Sequence, residues 1–140
     1  MDELVRWLGV QLDEDERIAR AASGPNARYP HWALSEWQGR EEPHSLIGQG
    51  TLDHPTVLGH FTSQPIFTTH AEHAVRHDPA RVLREIDAKR QVLAAYSQGA
   101  PSDVIDVKYA RGYVDALGKA VRLLALPYAD RPGYKESWRP

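Results

Sequence analysis

Cysteine is absent from the 140 residues. That excludes a disulfide framework, thiol catalysis and every cysteine-ligated zinc or iron–sulfur centre. Long apolar runs are also missing: no window approaches the roughly 20 residues that a membrane-spanning helix needs. The opening Met1-Asp2-Glu3 has neither the basic block nor the apolar block of a signal peptide. These two absences set the expectation of a cytoplasmic protein with no membrane association. Charge of one sign is scarce too. A net charge of −2 and a pI near 6.4 argue against general electrostatic attraction to nucleic acid. There is no Gly-x-Ser-x-Gly turn, no Gly-Lys-Ser/Thr phosphate loop and no dinucleotide glycine fingerprint. No internal repeat or low-complexity tract appears.

What is present has globular proportions, with 41% hydrophobic and 26% charged residues, enough for one core at a common domain size. The expectation is a single domain over residues 1–140. Leu4, Leu8, Leu12 and Ile18 recur at helical spacing beside Ala19 and Ala22, which predicts a helix over 2–22. The acidic run Asp13-Glu14-Asp15-Glu16 interrupts that stripe and reads as a solvated face. Ser23-Gly24-Pro25-Asn26 stops the helix.

Residues 29–67 have a different texture. Pro30, Pro43, Pro55 and Pro65 alternate with Gly39, Gly48, Gly50 and Gly59, which forbids a long helix. Trp32–Trp37, Ser45–Gln49 and Thr56–Phe61 suit strands. Thr69 and Glu72 form a capping-box pattern that predicts a short helix over 70–76. Asp78-Pro79 supplies an N-cap and a first-turn proline, so a further helix is predicted over 79–97. Val107, Ala110, Val114, Leu117, Val121 and Leu124 form one apolar face of a last helix over 103–126, capped by Ser102 or Asp103. The fold class is therefore α+β, mostly helical, with a small antiparallel β-sheet between the first and second helices. Residues 128–140 read as an extended C-terminal strap whose Tyr134 and Trp138 dock on the helices.

Two constellations could carry function. His70, His73 and His77 fall within roughly 60° of arc on an ideal helix, and neutral imidazoles one turn apart can share a zinc ion. Against this, the Asp78-Pro79 corner breaks the helix at His77, and a histidine near a helix C-terminus ordinarily satisfies free carbonyls. His70-Ala71-Glu72 matches only the first half of a zinc deaminase signature, whose second half requires cysteines. The second constellation is aromatic: Trp32, Trp37 and Phe61 are concentrated in the irregular segment, where loops build binding surfaces. Trp32 and Trp37 lie an odd number of residues apart, so on an extended strand their side chains point to opposite faces. One indole then anchors the sheet while the other offers a partner contact.

Two stretches carry a resemblance. His73-Ala-Val-Arg-His77-Asp78-Pro79-Ala80-Arg81-Val82-Leu83-Arg84-Glu85-Ile86 and its continuation to Arg90 resemble the central motif of an uncharacterised family of small actinobacterial and actinophage proteins, domain of unknown function 6221. Leu123-Leu124-Ala125-Leu126-Pro127-Tyr128-Ala129-Asp130-Arg131-Pro132-Gly133-Tyr134, running on through Trp138 to Pro140, resembles that family's C-terminus. The amphipathic start with Asp13-Glu14-Asp15-Glu16 also fits. The two matches with this start cover about half the chain, and the aromatic–proline tail is the specific part. The resemblance implies a bacterial cytosol or infected host cytosol as location, and no mechanism. Many members carry cysteines between the central motif and the last helix. If those cysteines bind zinc together with the histidines, this chain lacks half the site.

The resulting expectation is a non-catalytic binding or inhibitor protein that acts on a host macromolecule, namely a host protein, through Trp32, Trp37 and Phe61, with no cofactor. The alternatives are a metal-dependent hydrolase using His70, His73 and His77, and a protein that sequesters a small nucleotide.

Overall fold

The computed structural model describes residues 1–35, 45–49, 56–60, 65–103 and 106–140. In chain order the elements are α1 (Asp2–Ala22), β1 (His31–Ser35), β2 (Ser45–Gln49), β3 (Thr56–His60), α2 (Pro65–Arg76), α3 (Pro79–Gln98) and α4 (Val107–Ala125), with short 3₁₀ turns at 25–27, 126–128 and 136–138. The class is α+β, and the small sheet falls between α1 and α2 as the Pro/Gly punctuation predicts. Two compact units divide the chain, one from residues 1–14 and 86–140, the other from residues 15–85.

In the first of these units the leucine stripe does what its spacing implies. Leu4, Leu8 and Leu12 are fully buried, and Ile86, Leu93, Val121, Ala125, Tyr128 and Trp138 are buried in the same unit. Removing such side chains from water supplies about 1.5–3 kcal/mol each. The C-terminal residues are held by Trp7, whose indole N–H donates to the Pro132 carbonyl at 3.0 Å. Its ring stands 5.6 Å from Tyr134 and 5.4 Å from Trp138, while the last two rings meet edge-on at 5.8 Å. Off-parallel packing at these separations is the favoured geometry for aromatic quadrupoles. Lys135 pairs with Glu3, and Arg131 donates to Gln11. Tyr128 carries two cations near its ring: Arg131 at 4.7 Å and Lys89 at 5.3 Å.

The last helix departs from its predicted start. Asp106 is the N-cap, accepting from the Lys108 and Tyr109 N–H groups, so neither Ser102 nor Asp103 has that role. Val107 is consequently a first-turn residue and is 81% exposed, not core. Its azimuth is right, but the helix has barely begun there. Val121 is fully buried, while Val114, Leu117 and Leu124 are half-buried.

In the second unit the sheet has order β1-β2-β3, antiparallel throughout, with an irregularity between Leu46 and Ile47. Trp32 faces Gly48 and Leu34 faces Leu46 across the β1/β2 ladder, so these four share one face. Leu46 is buried. A side chain at Gly48 would put its Cβ 2.7 Å from the Cβ of Tyr29; the missing side chain is what lets Tyr29 cover the strand. Helix α2 begins at Pro65, a turn before the capping-box pattern. Proline suits a first helical turn, and Thr69 therefore lies inside the helix.

The corner between α2 and α3 confirms the reading of Asp78. One carboxylate oxygen accepts the Arg81 N–H at 2.7 Å, which is N-cap geometry. The other lies 3.3 Å from His31 Nδ1, at the start of β1. The Ala80 N–H donates to the Pro30 carbonyl at 2.9 Å. Two bonds thus fasten the first strand to the start of α3, and α2 lies against the same strand.

Candidate functional site

Within the second unit, the Trp32 side of β1 borders a cavity of about 250 Å³. The C-terminal part of α1 supplies Asp15, Ile18, Ala19 and Ala22. The α2–α3 corner adds His77 and Pro79, and the first turn of α3 adds Val82. Each is placed for a local reason. Ala19 is buried and accepts the Ser23 hydroxyl through its carbonyl at 2.9 Å, which locks the end of α1. Pro79 is buried at the first position of α3. Ile18 is 51% exposed and His77 is exposed, so the cavity is reached from solvent across them.

The chemistry of the lining is unequal. Six of the eight lining residues are apolar or aromatic; Asp15 and His77 are the polar exceptions. The indole Nε1 of Trp32 is buried and, among the described residues, has no hydrogen-bond partner. A donor in that state costs about 1–3 kcal/mol relative to one that is paired. Pockets that take drug-sized ligands run from roughly 300 to 1,000 Å³. This cavity is smaller, and suits one large apolar side chain.

Of the residues expected to bind, the structure places Trp32 in this site, on the face it shares with Leu34 and buried Leu46. Trp37 and Phe61 lie outside the described residues. His70, His73 and His77 are all exposed. The rings of His73 and His77 stack at 4.4 Å between centroids, and His77 also lines the cavity. Among the described residues there is no group of three or more His, Asp or Glu side chains arranged to hold a metal ion.

Ile18 is the site residue that the sequence reading assigned to the core. At 100° per residue it stands roughly 85° from the centre of the Leu4/Leu8/Leu12/Ala19 stripe. That angle was available from the sequence and separates Ile18 from the packed face. Pro79 and Val82 carried no comparable signal, because their part in the cavity depends on how β1 meets the corner.

A model of the Family of unknown function (DUF6221) matches residues 1–140, and the chain belongs to that family. No curated protein and no solved structure matches it. Among the described residues, no helix is long and apolar enough to cross a membrane.

Proposed function

We propose that this member of the family is a non-catalytic binding protein, encoded by an actinobacterium or its phage, that acts on a host protein. The recognition surface is the Trp32 cavity of the second unit. The observation that carries this reading is a small, mostly apolar cavity walled by Trp32 and opened to solvent at Ile18. Interface hot spots are aromatic residues next to well-packed sockets that exclude water. Here the socket takes a Leu-, Met- or Phe-sized side chain of the partner, packed against the indole face. Half-exposed Ile18 forms the apolar rim that seals the contact.

The test is quantitative capture from actinobacterial lysate, with circular dichroism to check folding. Ile18→Asp places a charge on the rim without touching the buried residues. Trp32→Phe keeps an aromatic ring and removes part of the indole wall of the cavity. A specific partner that binds the parent chain should lose about 2 kcal/mol or more of affinity in Ile18→Asp, and about 1 kcal/mol in Trp32→Phe. Capture that survives both changes in folded protein would place the binding surface elsewhere.

A further inference from the structure

A second cavity, of about 370 Å³, lies in the other unit and draws on none of the Trp32 residues. Its main wall is one face of α4, where Val114, Asp115, Gly118, Lys119 and Arg122 follow the i, i+1, i+4, i+5, i+8 spacing of adjacent helical positions. Tyr96 of α3 provides an aromatic wall. Gly118 leaves the helix backbone open there; a Cβ at that position would sit 3.4 Å from the Tyr96 ring. The volume falls within the range of small-molecule sites, roughly 300–1,000 Å³.

The charges on this wall do not balance. Lys119 and Arg122 both line the cavity, and among the described residues neither makes a hydrogen bond or an ion pair. Arg122 is half-buried on its helix, where water screens its charge less than at an open surface. Four other arginines pair with carboxylates: Arg20 with Glu16, Arg81 with Glu85, Arg90 with Asp13 and Arg139 with Glu136. The side chains of the cavity carry two cations and one carboxylate, Asp115. Met1 and Pro140 also line the cavity and, in the untagged chain, their terminal groups add one charge of each sign, so the sum leaves room for a single negative charge. A guanidinium fork also matches a carboxylate in shape, with two parallel N–H···O bonds.

We infer that this cavity binds a small aromatic monocarboxylate, its anionic head on Arg122 and Lys119 and its ring against Tyr96 and Val114. A dianionic phosphate monoester would add a second charge beside Asp115 and is disfavoured by it. The site is independent of the partner surface around Trp32.

The experiment is calorimetric or NMR titration of the full chain, without tags because Met1 and Pro140 also line the cavity. The probes are 2-naphthoate, 2-naphthyl phosphate and the neutral 2-naphthylmethanol. The parent chain should bind 2-naphthoate saturably, and at least tenfold more tightly than the neutral analogue. Arg122→Gln and Lys119→Gln should each weaken 2-naphthoate by about tenfold, as loss of a charged hydrogen bond does. Lys119 is exposed, so its substitution tests the site even if the Arg122 variant does not fold. Asp115→Asn should tighten 2-naphthoate and admit the phosphate. Absence of saturable binding, equal affinity for the neutral analogue, or tighter binding of the phosphate by the parent chain would each overturn the assignment.

Discussion

Gly133 sits where two demands coincide, and substituting it probes how the C-terminal residues are held. Its φ is +85°, a region that costs an L-residue about 1–2 kcal/mol. A Cβ there would also lie 2.9 Å from Trp7 Nε1 and 3.2 Å from Trp7 Cδ1. The indole would have to move away from the Pro132 carbonyl, giving up a hydrogen bond with a net value of about 1 kcal/mol. The same movement weakens its edge contacts with Tyr134 and Trp138, each worth about 0.5–1.5 kcal/mol. Gly133→Ala should therefore destabilise the protein by about 3 kcal/mol in urea denaturation followed by circular dichroism. In a Trp7→Ala background the collision is gone, and the cost of Gly133→Ala should fall to the backbone share of about 1–2 kcal/mol. A loss below about 1 kcal/mol in the parent, or the same loss in both backgrounds, would falsify the claim that Gly133 is shaped around the Trp7 indole.

Four further outcomes follow from single features. Leu8→Ala should cost about 2–5 kcal/mol, whereas Val107→Ala, at an 81% exposed position, should stay within about 0.5 kcal/mol; similar losses in denaturation would contradict the core described above. Ala27 holds φ +52° on an exposed turn, so Ala27→Gly should be neutral or stabilising by up to about 1 kcal/mol, and a clear fall in Tm counts against the strained turn. The hydrogen bond from Lys135 holds the Glu3 carboxyl below its ordinary value of 4.5. A carboxyl depressed in the folded state adds stability that is complete above its unfolded value and fades as pH falls through its folded one. The stability gap between the parent and Glu3→Gln should thus be present at pH 6 and close below 4.5; a gap that widens in acid has the wrong sign. Finally, protein made without a His-tag should contain less than one zinc per chain by elemental analysis, and stoichiometric zinc lost in His73→Ala would restore the hydrolase reading.

Elements whose boundaries rest on local chemistry were legible. Asp78-Pro79 announces both the end of one helix and the cap of the next, since the carboxylate and the ring each act within one turn. The Pro/Gly spacing of residues 29–67 isolates the strands to within a residue or two, because these breakers act on their own backbone. The misplacements arise where several residues compete for one local role. Ser102, Asp103 and Asp106 can each cap a helix, and only the observed hydrogen bonds to Lys108 and Tyr109 decide in favour of Asp106. Thr69 and Glu72 have the spacing of a capping box, but Pro65 can begin a helix four residues earlier, and propensity does not rank the two.

The candidate site was half legible for a different reason. Strand parity puts Trp32 on one face with Leu34, and the ladder adds Leu46, so its role as an anchor follows from alternation alone. That its N–H lacks an acceptor among the described residues does not, since this depends on the tertiary packing around the ring. A strand residue packed for stability alone has no use for that group. Phenylalanine would fill the same face without a buried donor, and would avoid a cost of about 1–3 kcal/mol. Trp32 is thus less stabilising than its size implies.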